Sequence, residues 1–262
     1  MWVDTHTHLY LKEFERDYHS VIKESIDLGI TEMYFPNIDE TTILPLLNIT
    51  KHYPDNCFPM IGLHPGSVKA DFEDKLSVVE NWLEKEKFYG IGEIGIDLYW
   101  DKTYRKEQMQ AFEYQLMLSK KKHLPAIIHI REAFNEVFSV IEKVWDKDLF
   151  GIFHCFTGTE QQAKRAIEMG FVLGIGGVVT FKKSHLPEVL KSISLSDIVL
   201  ETDSPYLAPV PFRGQRNKTT YIPFTGKHIA EIKNCSVYEV AKATTENASK
   251  IFKQKKIRKN FY

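Results

Sequence analysis

The chain has 262 residues, with 34 Lys plus Arg against 35 Asp plus Glu and a formal net charge of -1 when His is neutral. A protein that coats nucleic acid through a broad cationic face carries a basic excess, so bulk charge excludes that mode and leaves any phosphate binding to local contacts. At 43% hydrophobic, 13% aromatic and 26% charged, the composition is that of a globular protein and excludes disordered and fibrous classes.

The start of the chain, Met1 to His6, lacks a basic segment and breaks its apolar run at Asp4, which argues against a secretory signal. The longest nearly uncharged apolar stretch, Gly170 to Val179, is too short to span a bilayer, which takes roughly 20 residues. Cys57, Cys155 and Cys235 are odd in number and irregularly spaced, so a disulfide framework is not expected and a reducing, cytoplasmic setting is.

Short apolar runs punctuate the sequence: Trp2-Val3, Met33 to Phe35, Phe58 to Leu63, Gly90 to Ile96, Ala126 to Ile130, Gly151 to Phe153, Phe171 to Ile175 and Ile198 to Leu200. Helical periodicity fills the intervals, as in Phe14, Tyr18, Val21, Ile22 and Ile26, closed by Gly29 at a left-handed C-terminal cap. Met109, Phe112 and Leu116 repeat the pattern. Thr159 with Gln162, and Ser236 with Glu239, have the form of capping boxes at helix starts.

Eight alternations of strand and helix, in a length near the roughly 250 residues typical of the (β/α)8 barrel, make a TIM barrel the expected fold. An open doubly wound sheet is the alternative, but no G-x-G-x-x-G turn leads from a strand into a helix. No linker splits the chain, so one domain is expected over residues 1–262. The stretch Pro205 to Pro223 reads as a long loop after the eighth strand, and the basic run Lys253 to Lys259 as a solvated helix end.

Chemistry-bearing side chains follow the apolar runs. Asp4, His6 and His8 follow the first, and His64 the third. Glu93 and Asp97 lie at the fourth, His129 at the fifth, His154 at the sixth and Asp203 at the eighth. In a barrel these ends meet on one rim, where active sites lie. His6 and His8 are one residue apart, and alternation along a strand sends both imidazoles to the same side. Four His and two carboxylates gathered from buried strands need a cation to compensate them. Six ligands exceed the three of a mononuclear catalytic zinc, which points to two ions sharing a bridging carboxylate, with Glu93 on a middle strand as the bridge. Taken alone, His64 reads more readily as a hydrogen-bonded structural residue than as a ligand. Asp97 is either an outer-shell partner or a strand-end cap, Cys155 a small core residue, and Tyr99-Trp100 either substrate-facing or packed beneath a loop.

Asp4-Thr-His-Thr-His-Leu9, Gly62-Leu-His-Pro65, Gly90-Ile-Gly-Glu-Ile-Gly-Ile-Asp97, Ile128-His-Ile-Arg-Glu-Ala133, His154-Cys-Phe-Thr-Gly158 and Leu200-Glu-Thr-Asp-Ser-Pro-Tyr-Leu-Ala-Pro209 together resemble the TatD family of metal-dependent deoxyribonucleases. The resemblance runs through essentially the whole chain. It implies an amidohydrolase-type barrel with His6, His8 and Asp203 on one divalent cation, His129 and His154 on a second, Glu93 between them and His64 beside the site. It also implies exonuclease cleavage of DNA from the 3′ end.

Departures from the family pattern fall on the substrate side. Phe212-Arg213-Gly214 stands where His-Arg-Gly is frequent, Asn217-Lys218-Thr219 where Asn-Glu-Pro is, and Asn135 where Asp is common. These bear on substrate preference and loop geometry, while the metal set is complete.

On this reading the expected function is divalent-metal-dependent hydrolysis of phosphodiesters in single-stranded DNA, with Mg, Mn or Zn as cofactor and no membrane or obligate protein partner. Asp203 serves as ligand and proton acceptor, and His64 as a donor to the substrate. Arg131 and Arg213 offer guanidinium forks for phosphate or form surface salt bridges. A hydrolase of amides or of esters such as aminoacyl-tRNA, built on the same barrel, would use the same metals.

Overall fold

A computed structural model describes residues 1–253; residues 254–259 of the basic tail therefore lie outside the described residues. Among them, eight parallel strands alternate with helices in chain order. The strands are β1 (Trp2–Asp4), β2 (Ile30–Phe35), β3 (Cys57–Pro59), β4 (Ile91–Asp97), β5 (Ala126–Arg131), β6 (Gly151–Phe153), β7 (Phe171–Ile175) and β8 (Ile198–Leu200). The helices are α1 (Tyr18–Asp27), α2 (Ile43–His52), α3 (Phe72–Lys85), α4 (Arg105–Lys122), α5 (Phe134–Val144), α6 (Glu160–Glu168), α7 (Leu186–Ser192), α8 (Ile222–Lys233) and α9 (Val237–Lys253).

Regular ladders join β1 to β3 and β4 to β8 as two sheets. Backbone bonds cross both seams between them. Thr5 N–H donates to Leu200 O at 3.0 Å and His8 N–H to Ser204 O at 2.8 Å, with a parallel bridge between Thr7 and Ser204. At the other seam, Ile61 N–H donates to Gly90 O at 3.1 Å and Gly92 N–H to Ile61 O at 2.8 Å. The arrangement is the expected (β/α)8 barrel.

The third strand is shorter than its apolar run. Regular pairing stops at Pro59, and the run continues past it only through the bridge at Ile61. Beyond that point Asn37 takes over as a neighbour of β4. Its N–H donates to Gly92 O at 3.0 Å and its O accepts from Glu93 N–H at 2.9 Å, while its side-chain amide donates to Gly62 O at 2.7 Å.

Alternation along the strands divides the core in two. Val3, Tyr34, Met60, Ile127, Ile152 and Val199 form one buried cluster together with Ala248, Ile251 and Phe252 of α9. Their strand neighbours, such as Trp2, Met33, Ala126 and Ile128, pack in the larger cluster with the surrounding helices. The Phe252 ring stacks on Tyr34 with centroids 3.6 Å apart, so α9 seals the N-terminal end of the barrel and leaves the opposite end for chemistry.

Local signals in the sequence are realised where they concern caps. Gly29 has φ +80° after α1. Thr159 and Gln162 form a reciprocal capping box on α6, and Ser236 N–H donates to Glu239 Oε2 at 2.8 Å while Glu239 N–H donates to Ser236 Oγ at 3.2 Å before α9. No helix among the described residues is long and apolar enough to cross a membrane.

Candidate metal centre

The site is assembled at the C-terminal ends of the strands by backbone crossings that fix each ligand-bearing segment. His6 and His8 flank Thr7, which is threaded between β2 and the exit of β8: Thr7 N–H donates to Tyr34 O at 3.0 Å, and Asp203 N–H donates to His6 O at 2.9 Å. Buried Asp4 ties the same two segments together. Its carboxylate accepts from Thr202 N–H at 3.0 Å, from Thr202 Oγ1–H at 2.7 Å and from His6 N–H at 3.3 Å. Asn217, also buried, donates from its amide to Thr202 O at 2.7 Å and Tyr206 O at 2.6 Å and so pins the loop that presents Asp203. On β4, Gly95 has φ +136°, and a Cβ there would stand 2.1 Å from His129 O. Only glycine lets β4 approach β5 closely enough to bring Glu93 to His129.

Glu93, 3% exposed, is the centre of the cluster. Its Oε1 lies 2.7 Å from His129 Nδ1, 3.5 Å from His154 Nε2 and 3.6 Å from His64 Nε2. Its Oε2 lies 3.2 Å from His6 Nε2 and 3.8 Å from His8 Nε2. Burial alone would raise this carboxyl, but the imidazoles of His64, His6 and His154 and the hydrogen bond with His129 hold it well below the usual range. Asp203 Oδ1 lies 3.4 Å from His8 Nε2 and 3.9 Å from His6 Nε2. It too is lowered, its burial outweighed by His8, His154 and His6.

Outer hydrogen bonds assign the imidazole tautomers, and with them the atoms free to coordinate. Tyr10 O–H donates to Pro36 O at 2.5 Å, so it accepts from His8 Nδ1 at 2.8 Å, leaving the His8 Nε2 lone pair turned toward Asp203. His154 is set by an ion pair instead: its Nδ1 lies 3.0 Å from Glu201 Oε1 and its Nε2 3.5 Å from Glu93 Oε1, so on losing its extra proton the ring presents Nε2 to the site. His64 is different. Its Nδ1 accepts from Gly66 N–H at 2.9 Å, so neutral His64 carries its proton on Nε2 and faces the site as a donor, not a ligand.

His129 is held on both nitrogens, by Glu93 and by Asp97 Oδ2 at 3.2 Å. Asp97 also accepts from Tyr99 N–H at 2.9 Å, so it fills both roles that the sequence left open. Burial would lower His129 and His154. The bonds to Asp97 and Glu93 instead raise His129 to about 9, and the charges of Glu201 and Glu93 raise His154 to about 10. His6 is lowered by burial and by His154, and His64 is lowered to about 4 by burial.

These residues fit divalent cations. Three-donor groups with ligand atoms within 4.8 Å of one another include His6, His8 and Asp203, then His6, Glu93 and His154; the same spacing joins Glu93 and His129 to His64, which turns its Nε2–H toward them. His6 Nε2 and His8 Nε2 stand 3.2 Å apart, and His6 Nδ1 is buried with no hydrogen-bond partner. Imidazole nitrogens and carboxylate oxygens gathered out of water in this way are a donor set that a divalent cation compensates. Four of the residues expected as ligands, His6, His8, His129 and His154, face Glu93, and Asp203 joins the cluster through His6 and His8. His154 groups with His6 across a stacked ring pair, centroids 3.4 Å apart, and no three-donor group among the described residues joins it to His129.

A cavity of about 640 Å³ opens over the cluster, lined by His8, His64, Glu93, His129, His154 and Asp203 and by Arg131, Trp100 and Tyr206. Arg131 reaches it. Arg213 does not line it, and its guanidinium rests on Phe181, 3.7 Å from the ring centroid. Phe212 stacks on Tyr221 at 4.0 Å, Lys218 Nζ lies 3.6 Å from Glu24, and Asn135 is exposed on α5. Cys155 is not a core residue. It lines the cavity, because the chain turns through φ +43° there and strand alternation no longer applies.

Sequence reasoning passed over Glu201. Its carboxylate is 0% exposed, faces His154 and accepts from Cys155 N–H at 2.7 Å. A carboxylate on the far nitrogen of a ligating imidazole fixes its orientation and raises its basicity. Glu201→Gln is expected to weaken divalent-metal binding by about 10- to 100-fold with the fold retained, as read by calorimetric titration of metal into the chelator-stripped protein; unchanged affinity would contradict the role.

Comparison with known proteins agrees with this geometry. The family described as TatD related DNase matches residues 3–253. An uncharacterized metal-dependent hydrolase of Bacillus subtilis, YabD, is 35% identical over 97% of this chain and 99% of its own length. A 3′-5′ ssDNA/RNA exonuclease TatD of Pantoea ananatis is 28% identical over 95% of this chain and 98% of its own. The crystal structure of YjjV, a TatD homologue from Escherichia coli, superposes with a TM-score of 0.90 at 26% identity, covering 96% of this chain and 98% of that one. The chain thus belongs to the TatD-related DNase family of metal-dependent hydrolases.

Proposed function

We infer that this hydrolase cleaves phosphodiester bonds, acting as a 3′-5′ exonuclease with a preference for single-stranded DNA, through two divalent cations that share Glu93. The observation that carries the reading is the surround of Glu93: one buried carboxylate faces five imidazoles, three near Oε1 and two near Oε2. His6, His8 and Asp203 would hold one ion, and His129 and His154 the other. Bound there, Mg, Mn or Zn would suit the donor set and would supply water activation and stabilisation of negative charge on the attacked phosphoryl group.

The remaining steps fall to side chains. Asp203, unprotonated at neutral pH, accepts the proton of the attacking water and returns it to the leaving oxygen. His64 donates its Nε2–H to a non-bridging phosphate oxygen. Arg131, in the cavity wall, pairs with a phosphate. With a net charge of -1 these local contacts hold the substrate, which favours a gripped strand end over a coated duplex. The relative named as an ssDNA/RNA exonuclease supports the substrate class. Three cysteines, odd in number and irregularly spaced, support a reducing, cytoplasmic setting.

A gel assay on end-labelled single-stranded DNA, duplex DNA, RNA and closed circular DNA, with a panel of divalent ions, tests the proposal. Stepwise shortening from the 3′ end, faster on single strands, is the expected result. Nicking of circles at a comparable rate would contradict end entry, and hydrolysis of an aminoacyl ester with no cleavage of any nucleic acid would overturn the nuclease reading.

A further inference from the structure

The loop after β4 leaves two neighbouring aromatic rings in water, and one of them, Trp100, lines the cavity. Trp100 is 78% exposed and Tyr99 48% exposed, so neither packs beneath a loop. A large apolar surface left in water at the mouth of a polar site marks a contact for a ligand. The pair is well fixed. Tyr99 N–H is held by the Asp97 carboxylate, whose other oxygen contacts His129, and the two rings meet edge to face with centroids 4.7 Å apart.

Arg131 completes the group. Its guanidinium carbon lies 3.8 Å from the Tyr99 ring centroid and 5.3 Å from that of Trp100, and it makes no salt bridge with a carboxylate among the described residues. Stacking on Tyr99 orients the fork while leaving its charge for an incoming anion. Trp100 and Arg131 line the cavity together with the carboxylates and imidazoles of the metal centre. Across the same cavity Tyr206, 51% exposed, presents a second ring. A flat π-face beside an unpaired guanidinium, next to a site for phosphoryl chemistry, matches a nucleotide unit: the base on the ring and the phosphate on the fork.

We propose that Trp100, buttressed by Tyr99 and Arg131, is a nucleobase-stacking platform that binds an unpaired base of the substrate next to the scissile phosphate. This rests on the nuclease reading above and specifies how it selects its substrate. Stacking is available only to a base released from a duplex, so the platform supplies a physical reason for single-strand preference. It reads the π-face and not the hydrogen-bonding edge, so the four bases are bound alike.

The test uses metal-loaded protein and two substrates of equal length, a single-stranded oligodeoxynucleotide and its abasic counterpart built from tetrahydrofuran residues. On the oligonucleotide, Trp100→Ala is expected to lower kcat/KM by about 5- to 150-fold, chiefly through KM, while Trp100→Phe retains most of the activity. On the abasic strand the penalty of Trp100→Ala is expected to disappear, and metal content to be unchanged throughout. An equal loss on both substrates, or no loss on the oligonucleotide, would overturn the platform. Wild-type protein that cleaves neither strand would instead remove the nuclease reading and the platform with it, so the two failures are told apart by the wild-type lane.

Discussion

Glu93→Gln is expected to leave the barrel folded and to lower turnover by roughly 10³-fold or more, beyond the 10- to 100-fold that attends loss of an outer-shell partner. The backbone at this position is held independently of the side chain, by Glu93 N–H donating to Asn37 O at 2.9 Å, so the substitution should not unravel β4. What changes is charge. The carboxylate faces His129 and His154 on one oxygen and His6 and His8 on the other. A neutral amide of the same shape offers one oxygen and one N–H group, and it cannot bridge two cations or balance the imidazoles around it. Circular dichroism, metal analysis and the gel assay on one preparation would check this. Near wild-type turnover in a folded variant would remove Glu93 from the mechanism.

Metal affinity is expected to climb steeply with pH, by about 100-fold per unit while two imidazoles must each give up a proton. His129 and His154 are raised to about 9 and about 10 by their carboxylate neighbours, so at neutral pH both carry the extra proton in the metal-free protein. A cation must displace it. His6 and His64 are lowered and are already neutral there, and Glu93 and Asp203 are already ionised, so these four add nothing to the slope. The same shifts set the stability of the metal-free protein. Because folded values lie above the unfolded value of about 6.5, the stabilisation from His129 and His154 is fully present below about pH 6.5 and is lost as pH rises through about 9 to 10. Calorimetry in buffers of different ionisation enthalpy counts the protons released on metal binding. Release of close to two is expected near neutral pH, and affinity independent of pH with no proton release would contradict the arrangement.

The barrel and its candidate ligands are legible because each signal is local. A buried parallel strand reads as an apolar run, and a ligand at its C-terminal end is the next polar residue: His154 directly follows Phe153, and His6 and His8 follow β1. The residues that hold those ligands in place were not legible, since their partners are remote in sequence. Asp4 is bonded to Thr202 across 198 positions, and Glu201 to Cys155 across 46. Asn37 takes its place beside β4 only because regular pairing of β3 ends at Pro59. Alternation failed as a guide where the backbone leaves the extended region, at Cys155 with φ +43°. Nearness in sequence failed for Arg213, which the loop after β8 carries onto Phe181 and away from the cavity that Arg131 reaches.

The central claim, that Glu93 joins two cation sites, is tested most directly by counting ions in the protein after chelator treatment and reconstitution with a single divalent metal. Elemental analysis against protein concentration, made on the same sample that is assayed for hydrolysis, should approach two ions per chain at full activity. Saturation at one ion per chain with full activity would contradict the bridged pair.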